Sequence, residues 1–368
     1  MMMNKSPVSK IYLPLIIGCF IACWSLLAEA SELVAADNKH YLYSGRIDFK
    51  QPATPLLTWP GSSIKANFSG PYLAIVLDDE KGKNFFNVII DGDDRSPYVL
   101  EAKQGEHTYV ISTVLADSLH SLEIYKRTEG EEGGTHFKGL KLATQSSLLA
   151  PPKRLSRRME IYGDSITSGM GNEGADNGAD HLLAEKNNYL AYGAIAARDL
   201  KAELHTISQS GIGIMVSWFG FIMPQFYDQL SAVGNNDSQW DFSQWTPDVV
   251  LINLMQNDSW LIDREKRLQP IPDDKQRIAH YQDFISTIRQ QYPDAYIVCA
   301  LGSMDATKTQ KWPDYVKAAV NNLNSQGDKN IDTLFFEFTG YGQHPRVAQH
   351  KANAKKLSAF IRTKMHWD

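Results

Sequence analysis

From His40 to Ala150, short runs of apolar and β-branched residues alternate with turn residues: Tyr41 to Tyr43, Ile64 to Phe68, Tyr72 to Leu77, Phe85 to Ile90, Thr108 to Ser112 and Ser121 to Tyr125. Pro60-Gly61, Ser69-Gly70-Pro71, Asp91-Gly92-Asp93-Asp94 and Gly133-Gly134 separate them. Strands at this spacing predict an antiparallel sandwich or jelly roll of about 100 residues. Leu148 to Lys153, with its two prolines, reads as a linker. After Ser156 the pattern changes. Apolar runs suited to buried parallel strands (Met159 to Tyr162, Val249 to Leu254, Ala295 to Leu301, Thr333 to Phe336) are separated by helix-like stretches at Tyr189 to Leu200, Lys275 to Gln291 and Tyr315 to Asn324. Val347, Ala354, Leu357, Phe360 and Ile361 then recur at helical spacing near the carboxyl end. Strand and helix in alternation predict an α/β domain with a doubly wound parallel sheet, whose catalytic groups collect beyond the carboxyl ends of the strands.

A different pattern stands ahead of both halves. Lys5 and Lys10 precede an apolar run from Ile11 to Leu27, and Ala28-Glu29-Ala30 follows with the small-x-small spacing of a signal-peptidase site. The expected layout is a signal peptide at 1–30, a β-sandwich at 31–150 and an α/β domain at 151–368. Such a chain is secreted or periplasmic, with no stable membrane insertion after cleavage behind Ala30. Cys19 and Cys23, each behind a small residue, leave a lipoprotein as the alternative.

Composition narrows the partners. The 37 Lys+Arg against 42 Asp+Glu give a net charge of −5, so no global positive field exists to hold a nucleic acid. Beyond the leader the one cysteine is Cys299, inside an apolar run, which excludes an internal disulfide and a Cys-based metal site. No His-x-x-x-His helix or calcium-loop spacing appears, and Asp91-Gly92-Asp93-Asp94 is explained by a turn, so neither a metal nor a cofactor is expected.

The chemistry is concentrated at strand ends. Met159 to Tyr162 runs into Gly163-Asp164-Ser165-Ile166-Thr167-Ser168-Gly169, placing a serine beyond the first parallel strand. A helix start behind it would favour developing negative charge. Gly163-Asp164-Ser165 resembles the first block of the SGNH (GDSL) hydrolases, a family of esterases and deacetylases. Ile207-Ser208-Gln209-Ser210-Gly211-Ile212-Gly213 is similar to the block that lends a glycine N–H to the oxyanion hole, with Gly211 the best match and Gly213 the fallback. Ile252-Asn253-Leu254-Met255-Gln256-Asn257-Asp258 resembles the Gly-x-Asn-Asp block, which implies Asn257 as side-chain oxyanion donor and departs from it at Met255.

The last block of the family reads Asp-x-x-His, whereas this chain has Tyr341-Gly342-Gln343-His344-Pro345. The resemblance therefore implies a Ser-His dyad of Ser165 and His344. A main-chain carbonyl, or Glu337 as an outside candidate, would hold the ring. The front sandwich, Gly169-Met170-Gly171-Asn172-Glu173-Gly174 and the His-Pro without its acid look like carbohydrate esterase family two. That resemblance implies removal of O-acetyl groups from a polysaccharide of the xylan or glucomannan kind. Ser165 would attack, His344 would serve as base, and Ser165, Gly211 and Asn257 would form the oxyanion hole. Trp260 is the expected sugar platform, while Asp164, His205 and His350 read as structural. A lipid esterase or thioesterase of the same fold, with a trench near Ile212, Ile214, Phe219, Phe221 and Ile222, is the rival enzyme. A non-catalytic polysaccharide-binding protein is the rival from another class.

Overall fold

The computed structural model describes residues 31–232, 238–338 and 344–368. The leader and Tyr341 lie outside the described residues. The front half is built from β1 (Ser31–Ala35), β2 (Leu42–Ser44), β3 (Ile47–Asp48), β4 (Leu56–Leu57), β5 (Ser63–Ser69), β6 (Leu73–Asp79), β7 (Phe85–Ile90), β8 (Tyr98–Glu101), β9 (Gly105–Ser112), β10 (Leu119–Lys126), β11 (Thr135–Ala143) and β12 (Leu148–Leu149). They form two antiparallel sheets, one ordered β3-β4-β11-β6-β9 with β1 on β11, the other β12-β5-β10-β7-β8 with β2 on β5. Alternate residues point inward, so Ile64, Ala66 and Phe68, Leu73, Ile75 and Leu77, and Leu122 and Ile124 close one core between the sheets.

The second half carries β13 (Arg157–Gly163), β14 (Ala202–Ser208), β15 (Val249–Asn253), β16 (Tyr296–Leu301) and β17 (Ile331–Phe335) in one parallel sheet ordered β14-β13-β15-β16-β17. Its helices are α1 (Ser165–Ser168), α2 (Tyr192–Asp199), α3 (Gln256–Asp263), α4 (Asp274–Gln291), α5 (Lys311–Ser325) and α6 (Val347–Met365). Val250, Ile252, Ile297 and Cys299 face a core with α4 and α5; Val249, Leu251, Val298 and Ala300 face another with α2 and α6. Both faces being covered is why these strands read as unbroken apolar runs. The strand order reverses around β13, and the crevice beyond the carboxyl ends at such a reversal is where ligands bind in this class of sheet.

The two halves are joined by buried charge. Arg46, fully buried in the front domain, donates to Glu160 Oε1 at 3.2 Å, to the Tyr162 hydroxyl at 3.1 Å and to the carbonyls of Tyr227 and Gln229 at 2.6 and 3.1 Å. Burial alone would raise the Glu160 carboxyl, but Arg46, His205 and the Tyr162 hydroxyl together hold the group to about 2. Trp59 Nε1 donates to the Leu230 carbonyl at 2.8 Å. Lys186 Nζ reaches Glu129 at 2.8 Å and Glu132 at 2.6 Å, all three residues buried.

Candidate active site

Register brings the three blocks to one level. Gly163, the last residue of β13, pairs with Ser208 on one side and Asn253 on the other. Ser165, Gly211 and Asn257 therefore leave neighbouring strand ends within two to four residues of a common line. Asp164 caps α1, accepting the Ile166 N–H at 3.0 Å, and Gly169 closes the helix in the left-handed conformation. Ser165 is thereby fixed as the first helical residue.

His344 arrives from the segment ahead of α6. Its Nε2 lies 2.7 Å from Ser165 Oγ, and its Nδ1 lies 2.9 Å from Asp180 Oδ2. A carboxylate only accepts, so Nδ1 carries the hydrogen and Nε2 offers its lone pair to the serine hydroxyl. The His344 main-chain N–H donates to the same Oδ2 at 3.0 Å. Burial works to raise the Asp180 carboxyl, but hydrogen bonds from the His344 ring and main chain, with Arg346 behind them, bring it down to about 2. The expected dyad is corrected here: the ring is held by a carboxylate, not by a main-chain carbonyl. Glu337, the outside candidate, is exposed.

The oxyanion side is shaped by carboxylates that do not reach the serine. Gly211 has φ +85°, and a Cβ there would lie 3.3 Å from both Phe219 and Trp218, so glycine fits the turn. Gly213 N–H donates to Ser217 Oγ at 3.0 Å, which removes the fallback. Among the described residues the N–H groups of Ser165 and Gly211 have no acceptor. Asp258, fully buried, accepts N–H groups of Ile214, Met215 and Val216 and so fixes the loop that follows Gly211. Its carboxyl is raised by burial against those three donors. Asn257 Nδ2 donates to the Ile212 carbonyl at 2.9 Å and faces Asp164 Oδ2 at 3.5 Å, while Trp218 Nε1 donates to Asn257 Oδ1 at 3.1 Å. The indole N–H thus orients the amide, leaving its NH2 end toward the serine block. Asp164 is pushed up to about 7 by burial.

Trp260, the expected platform, is half-buried and held from one side. Its Nε1 bonds Asp305 Oδ1 at 2.5 Å and its ring packs on the core that includes Ile166 and Met304, so it braces α3 against the turn after β16. The exposed ring beside Asn257 is Trp218, 45% accessible, with the Arg267 guanidinium 4.4 Å from its centroid. His350 is buried, and its Nδ1 accepts the Tyr192 N–H at 3.1 Å; burial pushes it down to about 3. His205 is stacked on Trp245 at 3.7 Å in the interior. Carboxylates of Glu129, Glu131 and Glu132 converge within 4.8 Å, but the Lys186 ammonium occupies the position a cation would take between two of them. Sequence reasoning missed Asp180 and Arg346. The usable signal was a polar Gly- and Asp-rich stretch, Glu173 to Asp180, directly behind the serine helix.

Residues 43–152 match the Carbohydrate esterase 2 N-terminal family, and residues 161–359 match the GDSL-like Lipase/Acylhydrolase family. The chain is 35% identical over 92% of its length to a cellulase/esterase, CelE, of Acetivibrio thermocellus, of which it spans 41%. It is 26% identical to an acetylxylan esterase / glucomannan deacetylase of Cellvibrio japonicus, covering 93% of each. A solved family two carbohydrate esterase from Clostridium thermocellum in complex with cellohexaose superposes with a TM-score of 0.80 at 34% identity, covering 89% of this chain and 100% of that one. With both halves matched in order, the chain belongs to the GDSL-like lipase/acylhydrolase family and, within it, to the family two carbohydrate esterases.

Proposed function

We propose that this protein is a secreted serine esterase that removes O-acetyl groups from a plant-type polysaccharide such as xylan or glucomannan. The observation that carries the reading is the row Ser165 Oγ, His344 Nε2, His344 Nδ1 and Asp180 Oδ2, with contacts of 2.7 and 2.9 Å. Ser165 attacks the acetyl carbonyl as His344 takes its proton, and the oxyanion is met by Asn257 and the N–H groups of Ser165 and Gly211. His344 returns the proton to the departing sugar oxygen, then takes one from water, whose hydroxyl attacks the acyl-serine; that proton passes to Ser165 Oγ as acetate leaves. Asp180 holds the ring and stabilises the imidazolium without taking the proton. The Cellvibrio japonicus relative is described as an acetylxylan esterase / glucomannan deacetylase, and Trp218 offers a sugar ring an exposed apolar face. The leader, cleaved behind Ala30, delivers the enzyme outside the cytoplasm.

Two of the five residues that would line the long-chain rival's trench are withdrawn from it: Ile212 and Ile214 are buried in the sheet core, while Phe219, Phe221 and Ile222 are half-buried. Acetate release from acetylated xylan is expected for the wild type and is expected to vanish in Ser165→Ala. Across a p-nitrophenyl ester series from acetate to decanoate, kcat/KM is expected to peak at acetate. Full activity in Ser165→Ala or an optimum at decanoate would defeat the reading.

A further inference from the structure

Asp180 stands at the far end of a segment that is fastened at its start, where Arg127 pairs with Glu173 and Asn172 donates to the Asn187 carbonyl. Between α1 and the turn Leu183–Glu185 the chain has no strand, and Ala175, Asp176, Asn177 and Ala179 are exposed. No apolar side chain from this stretch enters either core of the α/β domain. Fixing a loop of this kind costs backbone entropy. Yet the imidazole needs the carboxylate in one place.

The anchor is Arg346, two residues beyond His344 and 3% accessible. Its guanidinium fills the inside of the loop. Nη1 donates to Asp180 Oδ1 at 2.6 Å and to the Gly171 carbonyl, Nη2 to the Gly178 carbonyl at 2.9 Å, and Nε to the Ala175 carbonyl at 3.0 Å. Gly171, at φ +60°, lets the chain close on this group: a Cβ would come within 2.8 Å of Asp180 Cα and 3.0 Å of Nη1. Val347 N–H, donating to the Asn172 carbonyl at 3.0 Å, seats the same turn on the start of α6. From these contacts we infer that Arg346 is a positioning residue for ester hydrolysis, acting through Asp180. One side chain fastens the acid-bearing loop to the segment that carries the base, so the imidazole and its carboxylate partner are both set by the start of α6. A planar fork with five donors suits three carbonyls and a carboxylate together, whereas an ammonium cannot span them. The inference rests on the proposed Ser165–His344–Asp180 chemistry.

The test is a cycle of Arg346→Gln, Asp180→Asn and the double variant, with Arg346→Lys beside it, assayed on p-nitrophenyl acetate for kcat and for the pH profile of kcat/KM. The groups facing His344 are Ser165, Asp180, Arg346 through Asp180, and the buried, neutral His350. Losing the carboxylate makes the imidazolium release its proton more readily, so Asp180→Asn moves the acid limb to lower pH and lowers kcat by up to about 10⁴. Arg346→Gln is expected to lower kcat about 10²-fold, the cost of a misplaced group. Its acid limb moves down in the direction of Asp180→Asn, and Arg346→Lys falls between it and wild type. The double variant is expected to be no worse than Asp180→Asn alone. If Arg346 mattered only as a charge, its removal would leave the carboxylate pulling harder and the limb would move up. An upward or unmoved limb, or losses that multiply in the double variant, would overturn the inference and leave the proposed activity standing. Wild-type kcat in Asp180→Asn would overturn the inference through the acid it depends on.

Discussion

Asn257 is held at both ends of its amide, by the Trp218 indole on the oxygen and the Ile212 carbonyl on the nitrogen. Two substitutions separate donor from orienter. Asn257→Ala is expected to lower kcat by about 10²–10³ at nearly unchanged KM, since the donor acts on charge that develops in the transition state. Trp218→Phe keeps a ring for the sugar but loses the N–H, so kcat is expected to fall by less than in Asn257→Ala while KM for acetylated xylan stays put. A KM rise with kcat intact would assign Trp218 to sugar contact alone. These residues divide by how they can be read. Ser165, Gly211, Asn257 and His344 each sit within a few residues of a strand end or the last helix, where local pattern gives both the element and the motif. Asp180 and Arg346 meet across 166 positions with no periodic element around the acid, so nothing local marked their partnership. For Trp260, proximity in sequence to Asn257 does not tell which way a helical ring is drawn, and here Asp305 draws its Nε1.

The start of α3 shows a local rule being overridden by packing. Met255 caps the helix at φ +88°, ψ −4°, where the family block has glycine, and its side chain is fully buried in the sheet core. A left-handed non-glycine residue costs about 1–2 kcal/mol, whereas emptying a buried methionine site costs about 2–5 kcal/mol. Packing outweighs the backbone cost. Met255→Gly is therefore expected to lower stability by about 1–3 kcal/mol in urea unfolding, despite relieving the backbone; a more stable variant would show that strain dominates. Most other elements were legible, because strands buried on both faces leave unbroken apolar runs and α4, α5 and α6 leave stripes. The long strand β11 was not. Gly139 and a register shift between Phe137 and Gly139 interrupt its alternation, so the period-2 signal fails where the strand bulges.

For the molecule as a whole, the front domain reaches the chemistry through Glu129. Its Oε2 accepts the Ser168 hydroxyl at 2.5 Å and the Ser210 N–H at 2.8 Å, so one front-domain carboxylate ties the serine helix to the turn before Gly211. Burial would raise this carboxyl, but Lys186 and those donors hold it below the usual range. Lys186→Met would leave Glu129 and Glu132 buried without their cation, at a cost of about 3–5 kcal/mol. Loss of activity and loss of tryptophan fluorescence are expected to coincide during denaturation, in wild type and variant alike. Two resolved transitions would contradict that coupling. The layout of two domains follows from the change of pattern near Ser156. Their mutual dependence does not, because buried polar partners leave no periodic trace. The feature with the widest reach is this cross-boundary charge, and its consequence is one of modularity. Cutting at the 150–156 connector would strand Arg46 and Glu129 on one piece and Glu160 and Lys186 on the other, each on a surface shaped to exclude water. The connector is thus a seam and not a joint: a designer who wishes to transplant the activity must move both halves together and attach any new cargo at the ends of the chain.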